Sequence, residues 1–415
     1  MDKEVKCGFC GKTIESAWTI IKGRDGSCIC GDCVKSCNQI LFLQKINEED
    51  VGASQETDKT ETPKTPAEIK EALDEYIVGQ EEAKKTLAVA VYNHYKRVNI
   101  PRLKTETEIE KSNILMIGPT GSGKTLFAKT IAEMMDVPFI IADANALTEI
   151  GYKGSDVEDV MLRLYNKAGC DVARAEKGVV YIDEIDKIAT RSGTARDEDI
   201  SGNCVQQDLL KIIEGTEIEL TLSDKTGVAK EVVTIDTKNI LFICGGAFER
   251  LNEVIGKRNA KSPAIGFGAK PEKEEPAPLE NVTYQDLKEY GMLSEFLGRL
   301  PVITILNELT KEDMIKVLTE PKNALVKQYE SLLEMDGVKI CFTQDALEAI
   351  ADKALSMGTG ARALRSIMEE TMRDAMFAIP SDKTIAGCEI TKENIESKKP
   401  VIFQKARIKR QEKTA

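Results

Sequence analysis

NILMIGPTGSGKT, residues 113–125, is an apolar run ending in a Gly-x4-Gly-Lys-Thr loop, and residues 126–135 behind it carry the spacing of a helix. Strand, glycine loop and helix in that order form the context in which such a loop cradles phosphate. The glycines let backbone N–H groups close around an anion with no Cβ in the way, and the helix start adds partial positive charge. Lys124 is expected to reach the β- and γ-phosphates, and the Thr125 hydroxyl to ligate Mg2+. Gly118, Pro119, Thr120, Gly121, Ser122, Gly123, Lys124, Thr125 and Leu126 form the expected nucleotide-binding stretch.

Further strands are expected at residues 139–142, 179–182, 240–244 and 302–306, separated by helical patterns. That alternation is the signature of a parallel α/β sheet. Val179-Val-Tyr-Ile182 runs directly into Asp183-Glu184, placing two carboxylates at the carboxyl end of a buried strand, where open α/β sheets bind ligands. Asp183 is expected in the Mg2+ shell and Glu184 to polarise the attacking water. Alone, an acidic pair after an apolar strand reads as a helix cap. Combined with a phosphate loop it marks a nucleotide hydrolase.

The amino-terminal region obeys different rules. Six of the 11 cysteines, Cys7, Cys10, Cys28, Cys30, Cys33 and Cys37, fall in the first 37 residues. The start of the chain, Met1-Asp2-Lys3-Glu4, has no apolar secretory stretch behind it, so metal is favoured over disulfides. Cys7-x2-Cys10 and Cys30-x2-Cys33 have the spacing of a structural four-thiolate Zn2+ site. Cys28 could replace Cys30 only by breaking the two-residue knuckle, and Cys37 also competes. A segment of about 45 residues buries too little core to fold by burial alone, so ligation must supply folding free energy. QETDKTETPKTP, residues 55–66, is polar and proline-punctuated, the composition of a linker.

The chain of 415 residues is expected to hold two to four domains at roughly 100–200 residues each. No apolar run approaches the ~20 residues of a membrane helix, so a cytoplasmic protein without membrane contact is expected. The net charge is −12, and the one clustered basic stretch is Lys405, Arg407, Lys409, Arg410 and Lys413 near the end. Nucleic acid is therefore disfavoured as the main partner. With His94 as the single histidine and no nucleophile motif beside it, peptide-bond cleavage is not expected. Beyond residues 307–310 the pattern turns helical (314–318, 332–333, 346–355, 361–372), with one short strand at 338–342, as in a smaller α-rich domain.

The four-cysteine module, the phosphate loop, Asp183-Glu184, Tyr76-Ile77-Val78-Gly79-Gln80, Val91-Tyr-Asn-His94-Tyr-Lys-Arg97 and Gly360-Ala361-Arg362 together resemble the ClpX family of AAA+ unfoldases, in family order over residues 5–390. The resemblance implies a homohexamer that hydrolyses ATP, unfolds tagged proteins and feeds them through its pore into a ClpP-type peptidase. The zinc module would dimerise and recruit adaptors or substrates. On matching positions, Ile77 and Val78 would pack against adenine, Arg299 would be the arginine finger completing a neighbour's site, and Arg362 the sensor-2 arginine. Tyr152, in Gly151-Tyr152-Lys153-Gly154, would grip polypeptide in the pore. Ile265, Gly266 and Phe267, an apolar island in the insertion at 256–281, would dock on the peptidase.

The departures are specific. Lys153 stands where the family has an aliphatic residue, and Asn203-Cys204 where it has Glu-Gly. No Arg-Lys-His triplet occurs between residues 216 and 232, so altered degron choice is expected. No sensor-1 residue is evident after residues 240–244. The expected organisation is α/β: a zinc-binding domain (1–50), a linker (51–66), an AAA+ large domain (67–306), an α-rich small domain (307–400) and a basic tail (401–415). Two other classes stay open. One is a remodelling ATPase without a peptidase, against which the 265–268 island argues. The other is a nucleic-acid-handling AAA+ protein with a zinc ribbon, against which the charge and the aromatic pore loop argue.

Overall fold

The computed structural model describes residues 6–10, 20–22, 27–31, 33–34, 64–99, 109–147, 157–190, 197–223, 229–260, 279–396 and 402–405. The chain divides into two units, residues 1–62 and 63–415. In the first, β1 (Ile20–Lys22) and β2 (Cys28–Cys30) pair antiparallel, with Ile20 opposite Cys30. The Gly8 N–H donates to the Cys28 carbonyl at 2.8 Å, joining the Cys7 loop to this hairpin.

The second unit is built on β3 (Ile114–Ile117), β4 (Phe139–Asp143) and β5 (Val179–Asp183), a hairpin of β6 (Glu217–Ser223) and β7 (Ala229–Asp236), and then β8 (Leu241–Gly246) and β9 (Val302–Ile305). Excluding the hairpin, these strands form one parallel sheet in the order β4-β5-β8-β3-β9. All four residues of β3 are buried, as a strand covered on both faces requires. Alternate residues serve different cores. Ile114, Met116, Tyr181 and Ile243 pack with the helices Glu81–Asn99 and Lys124–Met134. Leu115, Ile117, Val180 and Phe242 pack with the helices on the other side. A period of two along each strand produces this division.

After β9 a separate core forms around the helices Lys311–Thr319, Leu325–Met335, Gln344–Ser356 and Arg362–Ala378. The expected strand at 338–342 is β10 (Lys339–Phe342), which pairs parallel with β11 (Ile385–Ile390). β11 in turn pairs antiparallel with β12 (Ile402–Lys405). The stretch expected to begin a solvated basic tail at residue 401 thus starts as an edge strand. Ile402 and Phe403 supply β-formers ahead of the charges, and β11 supplies the open edge. The hairpin β6–β7 occupies the region that lacks the Arg-Lys-His triplet, and its turn at 224–228 lies outside the described residues.

At the amino end of the sheet, three side chains cap the carbonyls of the short turn Thr237–Asn239. Lys111 Nζ donates to Thr237 O at 2.8 Å, Arg97 Nη2 to Lys238 O at 3.0 Å, and His94 Nε2 lies 3.1 Å from Asn239 O. Burial, then the charges of Arg97 and Lys111, push His94 down to about 3, so its ring is neutral. Burial likewise pushes Lys111 down to about 7.

Candidate functional site

The phosphate loop leaves the carboxyl end of β3 between two fixed neighbours. Gly118 N donates to Gly246 O at 3.2 Å, and Leu306 N donates to Ile117 O at 2.7 Å. A Cβ on Gly118 would lie 2.9 Å from the Leu306 Cβ, so only glycine passes. Gly121 and Gly123 adopt φ of 81° and 100°, the left-handed region that side chains resist. The helix Lys124–Met134 starts immediately, and its first N–H groups are the unpaired donors every helix start leaves. Ser122 Oγ is buried with no hydrogen-bond partner among the described residues. Leu126 stands half-exposed on the first turn.

Lys124 Nζ donates to the loop's own carbonyls, Gly118 O at 2.6 Å and Pro119 O at 3.0 Å. Burial lowers its pKa, Asp183 and Asp186 oppose that shift, and the nearby positive charge of Arg362 adds to it. Arg362 opens a helix of the small domain, and the turn before it lies on the phosphate loop. Ala361 N donates to Gly121 O at 3.4 Å, and a Cβ on Gly360 would sit 2.7 Å from Thr120 O. Two cations therefore converge on a loop rich in free N–H groups. That donor set fits a polyphosphate, whose charge would relieve their repulsion.

The carboxylates face this loop. Thr125 Oγ1 donates to Asp183 Oδ2 at 3.4 Å, while Asp183 Oδ1 accepts from Tyr181 Oη at 3.1 Å and from Glu184 N at 3.0 Å. Burial, then the neighbouring Asp183 charge, raise the Tyr181 phenol well above its ordinary range, so it acts as a donor. Thr125 and Asp183 together present oxygens of the kind Mg2+ takes. Glu184 has φ of 56°, and its Oε2 accepts from Asn145 Nδ2 at 2.5 Å. A non-glycine residue held in the left-handed region costs of order 1 kcal/mol or more, and such positions cluster at functional sites.

Ile77 and Val78 line a cavity of about 420 Å³ together with Gly79, Asp313, Lys316 and Lys322. That volume falls within the roughly 300–1,000 Å³ of small-molecule sites. The Gln80 side chain ties this strap to the start of the small domain: Nε2 donates to Asn307 O at 2.8 Å, and Asn307 N donates to Oε1 at 2.9 Å. A larger groove of about 540 Å³ runs along the small domain between Tyr329, Leu332 and Met376. Neither cavity is lined by a phosphate-loop residue, so the chemistry around residues 118–126, and not cavity size, assigns the site.

Arg299 is not part of this assembly. It precedes β9, its carbonyl accepts from Asn113 Nδ2 at 3.0 Å, and its Nε pairs with Glu214 Oε1 at 3.0 Å. From Asn113, which its carbonyl meets, to Gly118 at the phosphate loop is five residue steps along β3, roughly 16 Å at about 3.3 Å per residue. Tyr152, Ile265, Gly266 and Phe267 lie outside the described residues. Asn203 and Cys204 lie on the helix Asp197–Glu214, where Asn203 Oδ1 accepts from Thr190 Oγ1 at 3.3 Å.

In the amino-terminal unit, the thiol sulfurs of Cys7, Cys10, Cys30 and Cys33 all lie within 4.8 Å of one another. N–H groups of Cys10, Cys30 and Phe9 hold the Cys7 thiol down to about 6. The sulfurs of Cys10, Cys30 and Cys7, together with burial, push Cys33 up. Crowded thiolates raise one another's cost of ionising, and a divalent cation removes that cost. The donor set is that of structural zinc. Of the competing ligands, Cys28 stays outside this cluster, and Cys37 lies outside the described residues.

Three family models match the chain: the ClpX C4-type zinc finger at residues 5–42, the AAA domain (Cdc48 subfamily) at 109–303, and the C-terminal, D2-small domain of ClpB protein at 309–392. The chain is 46% identical over 404 residues, 95% of each protein, to the ATP-dependent Clp protease ATP-binding subunit ClpX of Treponema denticola. The chain belongs to the ClpX family. As a ClpX-family member it is an AAA ATPase with an α/β large domain, a small carboxyl-terminal domain and a four-cysteine zinc module. Among its described residues, no helix is long and apolar enough to cross a membrane.

Reading the sequence of this ClpX-family chain missed Asn145, Tyr181 and Gln80. Tyr181 carried a signal, since a phenol in an otherwise aliphatic buried strand needs a partner for its hydroxyl. Asn145 and Gln80 carried none, because their partners lie 39 and 227 residues away.

Proposed function

We propose that this ClpX-family chain is the ATP-driven unfoldase and translocase subunit of a two-component protease, working as a homohexamer that delivers tagged proteins to a ClpP-type peptidase. One observation carries this reading. Lys124, Thr125, Asp183, Glu184 and Arg362 gather at one end of the sheet while Arg299 stands at the other. An arginine finger so placed can serve only the site of a neighbouring copy, which a closed ring provides.

In this reading ATP binds with its adenine against Ile77 and Val78 and its phosphates on residues 118–126. Lys124 turns from the loop carbonyls to the β- and γ-phosphates. Thr125 Oγ1 and Asp183 Oδ2 would hold Mg2+, which when bound supplies positive charge beside those phosphates. Glu184 accepts the proton of the attacking water, Arg299 of the next copy stabilises charge on the transferring phosphoryl group, and Arg362 couples phosphate loss to the small domain. The small domain then moves about residues 307–310 and drives Tyr152 along the pore. Ile265, Gly266 and Phe267 hold the peptidase, and the zinc module dimerises and recruits substrates or adaptors. The working parts are residues 1–50, 51–66, 67–306, 307–400 and 401–415, acting in the cytoplasm. Without an Arg-Lys-His triplet at its entrance, the pore has an altered degron choice and recognises Ala-Ala-type carboxyl-terminal tags more weakly.

The test is a trap. Glu184→Gln should bind ATP without hydrolysing it and co-purify, in an ATP-dependent way, proteins sharing terminal sequences together with a ClpP-type peptidase. Recovery of nucleic acid alone would contradict the reading. Substrates recovered without a peptidase would remove Phe267 docking from it.

A further inference from the structure

The Tyr181 side chain is completely buried, and the other residues of its strand up to the acidic pair are aliphatic. A phenylalanine would fill the same space. The hydroxyl donates to Asp183 Oδ1, 3.1 Å away and already bonded to Glu184 N at 3.0 Å, and the Thr125 side chain is its other hydrogen-bonding neighbour, so the phenol touches both groups expected around the metal. The neighbouring strand makes room for it. A Cβ on Gly245 would fall on the Tyr181 hydroxyl and lie 2.8 Å from the ring carbon that bears it, so glycine at 245 and a phenol at 181 fit together.

The terminal torsion of an aspartate is broad and roughly two-fold, so a free Asp183 could present either oxygen, or neither, to the phosphate loop. Two donors on Oδ1 fix that torsion. What remains is Oδ2, facing the Thr125 hydroxyl at 3.4 Å. The donor on Oδ1 from the backbone belongs to Glu184, the residue held at the left-handed φ.

We propose that Tyr181 is a positioning residue of the hydrolysis site: its hydroxyl fixes Asp183 so that Oδ2, beside Thr125, is turned toward the metal of the nucleotide complex. The inference rests on the reading that Asp183 holds Mg2+. Groups that orient metal ligands commonly tune metal affinity by about ten- to a hundredfold.

The experiment uses the full chain and a fluorescent ATP analogue, with Mg2+ titrated into each of four proteins: wild type, Tyr181→Phe, Asp183→Asn and the double variant. Tyr181→Phe keeps the ring over Gly245 and should melt like wild type. Its half-saturating Mg2+ concentration should rise about tenfold while nucleotide affinity in EDTA stays at the wild-type value. Added to Asp183→Asn, it should cause no further shift. Wild-type Mg2+ dependence for Tyr181→Phe, where Asp183→Asn is shifted, would overturn the proposal. Equal weakening with and without Mg2+ would do the same, since the hydroxyl would then support the loop generally. No shift for Asp183→Asn would instead remove the underlying reading of Asp183.

Discussion

The two ends of the five-stranded sheet treat charge in opposite ways. At the amino end, His94, Arg97 and Lys111 meet backbone carbonyls of one turn, and Arg299 meets Glu214. Each of these groups has a partner that belongs to the fold. Among the described residues, at the carboxyl end Lys124 has only the carbonyls of its own loop, Arg362 stands near it as a second cation, and Ser122 Oγ is buried without a partner. Those contacts are provisional. The cations of the amino end are paired within the chain, whereas Lys124 and Arg362 at the carboxyl end wait on one another or on nearby backbone; unpartnered buried atoms occur at both ends, His94 Nδ1 at one and Ser122 Oγ at the other. Arg299 marks the exception: its salt bridge is half-exposed, and exposed pairs contribute about 1 kcal/mol or less, so a neighbouring copy can take the arginine over.

The contrast can be broken by substitution. The largest effect is expected for Glu184→Gln, which should lower the ATP hydrolysis rate by about 10²–10⁴-fold, the range of a lost general base. Nucleotide affinity, measured by equilibrium binding, should be unchanged. Hydrolysis near the wild-type rate would show that the carboxyl end is not the catalytic one. Arg362→Ala comes next. Removing a cation that meets phosphate costs about 1.5–3 kcal/mol, so ATP should bind roughly ten- to a hundredfold more weakly. Wild-type affinity would mean that the two cations converge for another reason.

The smallest effect belongs to the amino end and involves pH alone. The His94 ring is neutral when folded, with its pKa pushed down to about 3, whereas the unfolded chain takes up a proton below about 6.5. The stability that depends on the neutral ring is therefore complete above pH 6.5 and lost as pH falls toward 3. At pH 5 the loss is about 2 kcal/mol. Urea unfolding at pH 7 and pH 5 should show a steeper decline for wild type than for His94→Gln. Parallel declines would mean that His94 does not titrate on unfolding.

Much of this was legible in the sequence, for a local reason. The phosphate loop, Asp183-Glu184 and the strands around them declare themselves because each requires residues adjacent in the chain: glycines for a turn, aliphatics for a strand buried on both faces, acids at its end. The structure places β3, β5 and β8 within a residue or two of the expected bounds. What escaped depends on partners far away in the chain. Asn145 becomes meaningful only beside Glu184, the room for the Tyr181 phenol only at Gly245, and β12 only against β11. The first strand of the hairpin β6–β7 is legible by the same local rule. Glu-Ile-Glu-Leu-Thr-Leu alternates with a period of two, and Ile218 and Leu220 face inward as that pattern requires.

The proposed division of the site between the two ends of one sheet would require two copies, and mixing two inactive variants tests this most directly. Arg299→Ala subunits keep Glu184, and Glu184→Gln subunits keep Arg299. Each variant alone should hydrolyse ATP at least about a hundredfold more slowly than wild type. In mixed assemblies, contacts that pair an intact Glu184 with an intact Arg299 should regain hydrolysis, in proportion to their frequency as the mixing ratio is varied. A mixture no more active than its two components would contradict completion of the site by a neighbouring copy, as would wild-type hydrolysis by Arg299→Ala alone.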